Sequence, residues 1–218
     1  MRSFSYIAFY DLDHTILDGN SATHLVTEAR KRGVMSERQF RHAVWLSILY
    51  KLKFGDPSRM INRMLSWLKG LKEDDIFGLA EEIFHSNIKK TIRPKILETI
   101  QQHRASNGAI VLLSSATTPI CQPVSQYIKL DAIICTRLES RNGVLTGHTS
   151  GQLVYGPEKK IRMLDYCHET GTNPQDAWYY GDSHTDRYVM EGVGHPVAVF
   201  PDKRLLNIAR RNNWTILI

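Results

Sequence analysis

Two aspartates separated by one residue stand at the start of the chain, in Asp11-Leu12-Asp13-His14-Thr15. In an extended segment, residues two apart share a face, so both carboxylates can enter one crevice. At that spacing one can act as a nucleophile and the other as acid/base, provided a cation offsets their repulsion. Aspartates at a strand end also cap helices or hold a cation without reacting, so the pair alone decides little. A second acidic segment, Gly181-Asp182-Ser183-His184-Thr185-Asp186, strengthens it. A hard cation such as Mg²⁺ takes oxygen ligands, and Asp11, the backbone carbonyl of Asp13 and Asp182 could supply them. Ser114 could donate its hydroxyl to a phosphoryl oxygen. Lys160, beside Lys159, could neutralise charge on the nucleophile and on a phosphoryl group.

These residues need elements that bring them together. Short apolar runs at Tyr6–Tyr10, Ala109–Leu113, Ala132–Cys135, Ala177–Tyr180 and Val197–Phe200 read as strands of a parallel sheet covered on both faces. Helical stretches at 94–104, 118–129, 158–170 and 205–212 alternate with them. The expected fold class is α/β, a doubly wound Rossmann-like parallel sheet. Asp11, Ser114 and Asp182 each follow a strand, and ligands of such sheets sit beyond the carboxyl ends. From 19 to 92 there is no convincing strand. Helical patterns at 22–31, 37–53, 58–69 and 73–89, broken at Gly33, Gly55-Asp56-Pro57 and Gly70, indicate an all-helical insert after the first strand. The expected division is therefore a core of 1–18 and 93–218 and an insert of 19–92. A smaller insert, 136–139 and 144–147 around Asn142-Gly143, reads as a hairpin.

Composition bounds the function classes. The chain has 218 residues, 42% hydrophobic and 23% charged, which is ordinary globular composition. No run approaches the ~20 apolar residues of a membrane span, and the N-terminus lacks a secretory pattern. Three scattered cysteines, Cys121, Cys135 and Cys167, argue for a reducing, cytoplasmic setting rather than a disulfide framework. The net charge of +6 is spread along the chain rather than clustered, so nucleic acid is not an expected partner.

Taken in order, Asp-x-Asp-x-Thr, Ser114, the lysine pair and Gly-Asp-Ser-x-x-Asp resemble the haloacid dehalogenase superfamily, and more closely its branch containing phosphoserine phosphatase. Thr136-Arg137-Leu138-Glu139 with Leu145-Thr146-Gly147, and the stretch 209–217 containing Trp214, extend the resemblance over almost the whole chain. The resemblance implies a Mg²⁺-dependent phosphatase acting on a small phosphorylated metabolite, with the helical insert as its cap. Asp11 would form an aspartyl-phosphate and Asp13 would be the acid/base. Asp11, Asp13, Asp182 and Asp186 would form the metal set, Asp186 through water or by orienting the lysine. Ser114 would bind phosphate, with Ser115 as the alternative. Lys160 is preferred to Lys159 because Leu164 then falls four residues later, toward the core. Thr15, Ser114, Ser115, Asn20 and Arg63 are the substrate-binding candidates. Phosphoserine phosphatases carry an acidic residue soon after the first motif to read the substrate amine. Here Asn20 holds that position and Asp18 lies nearby, which puts phosphoserine in doubt. Phosphoryl transfer to another acceptor and non-catalytic phosphate binding stay open.

Overall fold

The computed structural model describes residues 4–51 and 57–218. Six strands form one parallel sheet in the order β3-β2-β1-β6-β7-β8. They are β1 (Tyr6–Tyr10), β2 (Gly108–Thr117), β3 (Ala132–Thr136), β6 (Trp178–Gly181), β7 (His195–Val199) and β8 (Thr215–Leu217). The chain runs from β1 outward to β2 and β3, then crosses back to β6 and continues to β7 and β8. That reversal beside β1 is the switch point at which a crevice opens at the strands' carboxyl ends. β8 is not among the expected strands. It is three residues long and sits at the sheet edge, where the apolar run is too short to register.

Strand alternation explains the sheet's two covered faces. Ile7 and Phe9 of β1 join Ala109, Val111 and Leu113 of β2 in one buried cluster, with Met163 and Cys167 of α7 (Pro157–Thr170) against them. Ala8 and Tyr10 join Ile110 and Leu112 in the other. That second cluster runs without a break into the helical insert through Leu12, Ile16, Leu68, Ile76, Leu79 and Ile83.

The insert contains α1 (Ser21–Lys31), α2 (Glu37–Lys51), α3 (Pro57–Leu65) and α4 (Glu73–Ile83). The expected break at Gly55-Asp56 lies outside the described residues. The chain leaves and re-enters the core at adjacent points. Leu17 pairs with Ile92, the Asp18 amide donates to the Thr91 carbonyl, and Arg93 Nη2 lies 2.7 Å from Asp18 Oδ1. After the insert, α5 (Pro94–Ala105) leads into β2, and α6 (Thr118–Ile128) joins β2 to β3.

The hairpin forms as read: β4 (Leu138–Arg141) pairs antiparallel with β5 (Val144–Thr149). Asn142 and Gly143 both take positive φ, 53° and 75°, as a two-residue hairpin turn with the strands' own twist demands. It docks on the insert. The Gly70 and Leu145 amides donate to the Leu145 and Leu71 carbonyls, and Ser140 Oγ donates to Glu73. Two short helices, α8 (Arg187–Met190) and α9 (Lys203–Arg211), complete the other half of the sheet. No helix among the described residues is long and apolar enough to cross a membrane.

Candidate active site

Asp11 is the first residue beyond β1. Its amide donates to the Tyr180 carbonyl, which locks it to the neighbouring strand β6. The chain then turns through Leu12–Ile16, with His14 in the left-handed region at φ 59° and its amide donating to the Gly19 carbonyl. Asp11 is buried, and its Oδ1 accepts from Lys159 Nζ at 2.9 Å. The same ammonium donates to Asp186 Oδ1 at 2.8 Å and to the Tyr179 hydroxyl at 3.1 Å.

The expected lysine, Lys160, is corrected to Lys159. Lys159 is buried at the first turn of α7, and Met163 and Cys167 follow at four-residue steps on the same inward stripe. Leu164, on which Lys160 was preferred, is exposed, as is Ile161. With two adjacent lysines, the helix phase was assigned from the wrong apolar residue.

Asp186 is fully engaged. Its Oδ1 accepts from Lys159 and from the Tyr179 hydroxyl at 2.7 Å, and its Oδ2 accepts from the amide and hydroxyl of Ser183. Four donors occupy both oxygens, so this carboxylate is placed to hold Lys159. Gly181 makes the arrangement possible. A Cβ there would lie 2.7 Å from the Tyr179 ring and 2.9 Å from Asp186 Cγ.

Asp182 completes a cluster in which one oxygen from each of Asp11, Asp182 and Asp186 lies within 4.8 Å of the others. Its carboxylate takes no hydrogen bond from another side chain among the described residues. Burial, followed by the charges of Asp11 and Asp186, pushes it up to about 9. Asp11 is pushed up to about 6, chiefly by burial, with Lys159 pulling the other way. Burial also acts to raise Asp186, but Lys159 and its hydrogen bonds hold it below the usual carboxylate range. Burial opposes charge on Lys159, yet Asp11 and Asp186 keep it protonated. Three carboxylates thus face one ammonium. The uncompensated charge and the all-oxygen donor set fit a hard divalent cation such as Mg²⁺ between Asp11 and Asp182.

Asp13 lies across the turn. Burial raises its carboxyl, and the Ser21 amide, donating to Oδ1 at 2.8 Å from the first turn of α1, opposes the rise. Ser114 is buried at the end of the apolar run of β2, and its Oγ accepts from the Ala116 amide at 3.3 Å. Ser115 is half-buried beside it. Thr15 is fully buried, and its hydroxyl has no hydrogen-bond partner among the described residues.

Two expected substrate residues are placed differently. Asn20 is exposed and caps α1, its Oδ1 accepting from the Thr23 amide at 3.1 Å. Arg63 is exposed on α3, outside the Asp11–Asp182–Asp186 cluster. Tyr179, Ser183 and Ser21 were not singled out by sequence reasoning. Tyr179 reads as an ordinary core residue of a strand, and an amide contact such as that of Ser21 leaves no mark on residue type.

The family model for haloacid dehalogenase-like hydrolases matches residues 8–191. The chain belongs to this family. Among its relatives, phosphoserine phosphatase SerB1 of Mycobacterium tuberculosis is 27% identical over 96% of this chain and 69% of its own length. A histidinol-phosphatase of Neisseria meningitidis serogroup C is 24% identical over 97% of both chains. A crystal structure of a protein of unknown function from Bordetella pertussis Tohama I matches the fold with a TM-score of 0.91, at 21% identity over 99% of both chains. The chain is therefore an enzyme, a haloacid dehalogenase-like hydrolase whose relatives include proteins named as phosphatases.

Proposed function

We propose that this hydrolase removes phosphate from a small phosphomonoester through an aspartyl-phosphate formed on Asp11. The observation that carries the reading is the buried Lys159 bridging Asp11 and Asp186 beside an uncompensated Asp182. Lys159 occupies Asp11 Oδ1, which leaves Oδ2 as the attacking oxygen. Asp11 attacks phosphorus, the ester P–O bond breaks, and Asp13 gives its proton to the leaving oxygen. Asp13 then takes a proton from water. The resulting hydroxide attacks phosphorus, and the bond to Asp11 breaks to release phosphate. Acid/base help of this kind contributes ~10²–10⁴ in rate. Lys159 keeps Asp11 ionised and faces the phosphoryl charge, and Asp186 with Tyr179 positions Lys159. Ser114 donates to a phosphoryl oxygen, with Ser115 as the alternative donor. Mg²⁺, held by Asp11, Asp182 and the Asp13 carbonyl, would supply charge neutralisation of the phosphoryl group.

Residues 19–92 serve as the cap over the core of 1–18 and 93–218, and the cap sets specificity. The linker offers no free acid to read an ammonium group, because Asp18 is paired with Arg93 and Asn20 caps a helix. Substrates without a required α-ammonium group are favoured over phosphoserine. The test is a panel of phosphomonoesters assayed with and without Mg²⁺, for the native chain and for Asp11→Asn. Mg²⁺-dependent turnover lost in Asp11→Asn, with a hydroxylamine-sensitive phosphoenzyme in the native chain, is the expected result. Equal turnover in Asp11→Asn overturns the nucleophile.

A further inference from the structure

Two of the three cysteines meet beside the proposed phosphate-binding edge. Cys121 lies on α6 three residues after Thr118, so both side chains leave the helix on one face. Thr118 Oγ1 is 3.5 Å from Cys135 Sγ and 3.4 Å from the Thr136 carbonyl oxygen, so that face lies on the end of β3. Cys135 in turn is the register partner of Ser114 on β2, and the register slips between Ser114 and Thr117 as β2 runs into α6. Cys121 is wholly buried and Cys135 partly exposed. The Cys121 thiol is within hydrogen-bonding reach of the Cys135 thiol. The Cys121 S–H, then the Thr118 hydroxyl and the charge of Arg137, draw the Cys135 thiol below its ordinary range against the effect of burial. Burial keeps Cys121 protonated, and the charges of Asp13 and Asp11 act on it in the same direction. Cys167 is remote from this pair, packed on Met163 under the opposite face of the sheet.

We propose that Cys121 and Cys135 form a reversible disulfide on reaction with hydrogen peroxide, and that this bond turns the active site off. The Cys135 thiolate attacks one peroxide oxygen and the O–O bond breaks. Cys135 becomes a sulfenic acid, and the departing hydroxide takes a proton to give water. The Cys121 sulfur then attacks the Cys135 sulfur. The S–O bond breaks, and the leaving hydroxide takes the Cys121 proton as a second water. The two thiols lose two electrons and the peroxide gains them. A dithiol returns the pair to the reduced state by exchange.

Activity responds because the bridge shortens a non-bonded contact to an S–S bond of about 2.05 Å. That draws α6 toward β3, and the segment from Ser114 to Thr117 connects directly to α6. This inhibitory arm rests on the role proposed for Ser114; the thiol chemistry does not.

The experiment treats the reduced, Mg²⁺-loaded full chain with hydrogen peroxide. It reads a non-reduced digest by mass spectrometry and turnover of p-nitrophenyl phosphate. A Cys121–Cys135 linked peptide, lighter by two hydrogens, is expected, together with at least a tenfold fall in kcat/KM that dithiothreitol reverses. Cys135→Ser and Cys121→Ala remain active when reduced and lose the reversible response, whereas Cys167→Ser keeps it. Oxidation of Cys135 to sulfinic acid without the linked peptide overturns the proposal, as does full activity in the linked protein. A linked peptide in a chain inactive toward every ester counts against the phosphatase reading and leaves the disulfide standing.

Discussion

Two buried polar clusters sit on the same sheet and resolve their burial in opposite ways. At the carboxyl edge, Asp11, Asp182 and Asp186 surround Lys159 with charge left over. Between α5 and the sheet, His103 lies between the hydroxyls of Tyr6 and Tyr180, each 2.8 Å from a ring nitrogen. Tyr10 stacks on Tyr180 at 4.3 Å, and its hydroxyl is 3.0 Å from Thr99 Oγ1. Burial disfavours charge in both places. It pushes Asp182 up to about 9 and His103 down to about 4, the latter with help from His195. The histidine cluster has neutral partners for both ring nitrogens and asks for nothing more. The carboxylate cluster keeps charge left over, which marks it as the candidate functional site.

Breaking the lysine separates the clusters most sharply. Lys159→Met leaves two buried carboxylates without their counter-charge, which costs roughly 3–5 kcal/mol of stability. It also removes the group facing the phosphoryl charge, so kcat should fall about 10²–10³-fold or more, by analogy with loss of one electrostatic donor. Lys160→Met should change neither by more than about twofold or about 0.5 kcal/mol. Urea unfolding and steady-state kinetics on the two variants check this; equal losses would restore the discarded helix phase.

Cation removal sharpens the same contrast through pH. In the metal-free chain, Asp11 and Asp182 have raised folded values, about 6 and about 9. A raised group contributes stability that is present below the ordinary carboxylate range and lost as pH rises through its folded value. The chelated protein should therefore lose stability progressively from about pH 4 toward pH 9. Adding Mg²⁺ should raise Tm by a margin that widens over that window, reaching a few degrees. A margin independent of pH would mean that the cation does not bind at these carboxylates.

His103 should run the other way. Its folded value is depressed to about 4 against an ordinary 6.5. Its contribution is present above the ordinary value and lost as pH falls through the folded one. Acid unfolding monitored between about pH 7 and pH 4 should steepen in the native chain relative to His103→Gln. Tyr6→Phe should cost about 1 kcal/mol by leaving one ring nitrogen unpaired, with kcat unchanged.

The carboxylate site was the more legible of the two in the sequence, and for a physical reason. Its residues sit immediately after contiguous apolar runs, and strand ends are where chemistry-bearing side chains cannot be core. Asp11, Ser114 and Asp182 were placed that way. Lys159 was not, because it lies on a helix, where one residue of phase turns a side chain by ~100°. Leu164 looked like the inward residue, but Met163 and Cys167 carry the stripe. His103, Tyr6 and Tyr180 gave no signal, since residues remote in sequence and ordinary in type meet only after the sheet forms. The insert was legible as helices but not as a surface, because its apolar residues share one cluster with the sheet rather than forming a core of their own.

Asn20 supplies the last contrast, at the edge of the site. The resemblance set it where phosphoserine phosphatases carry an acidic residue, but its side chain accepts from the Thr23 amide and hydroxyl as the cap of α1. Removing a cap of this kind costs about 0.5–2 kcal/mol. Asn20→Ala should therefore lower stability by that amount and leave KM within about twofold, while Asn20→Asp, which caps equally well, should leave both unchanged. The first-turn amide of Ser21 holds Asp13, so fraying of α1 in Asn20→Ala should appear as a modest fall in kcat that Asn20→Asp restores. A KM that rises in Asn20→Ala while stability holds would instead put this side chain on the substrate.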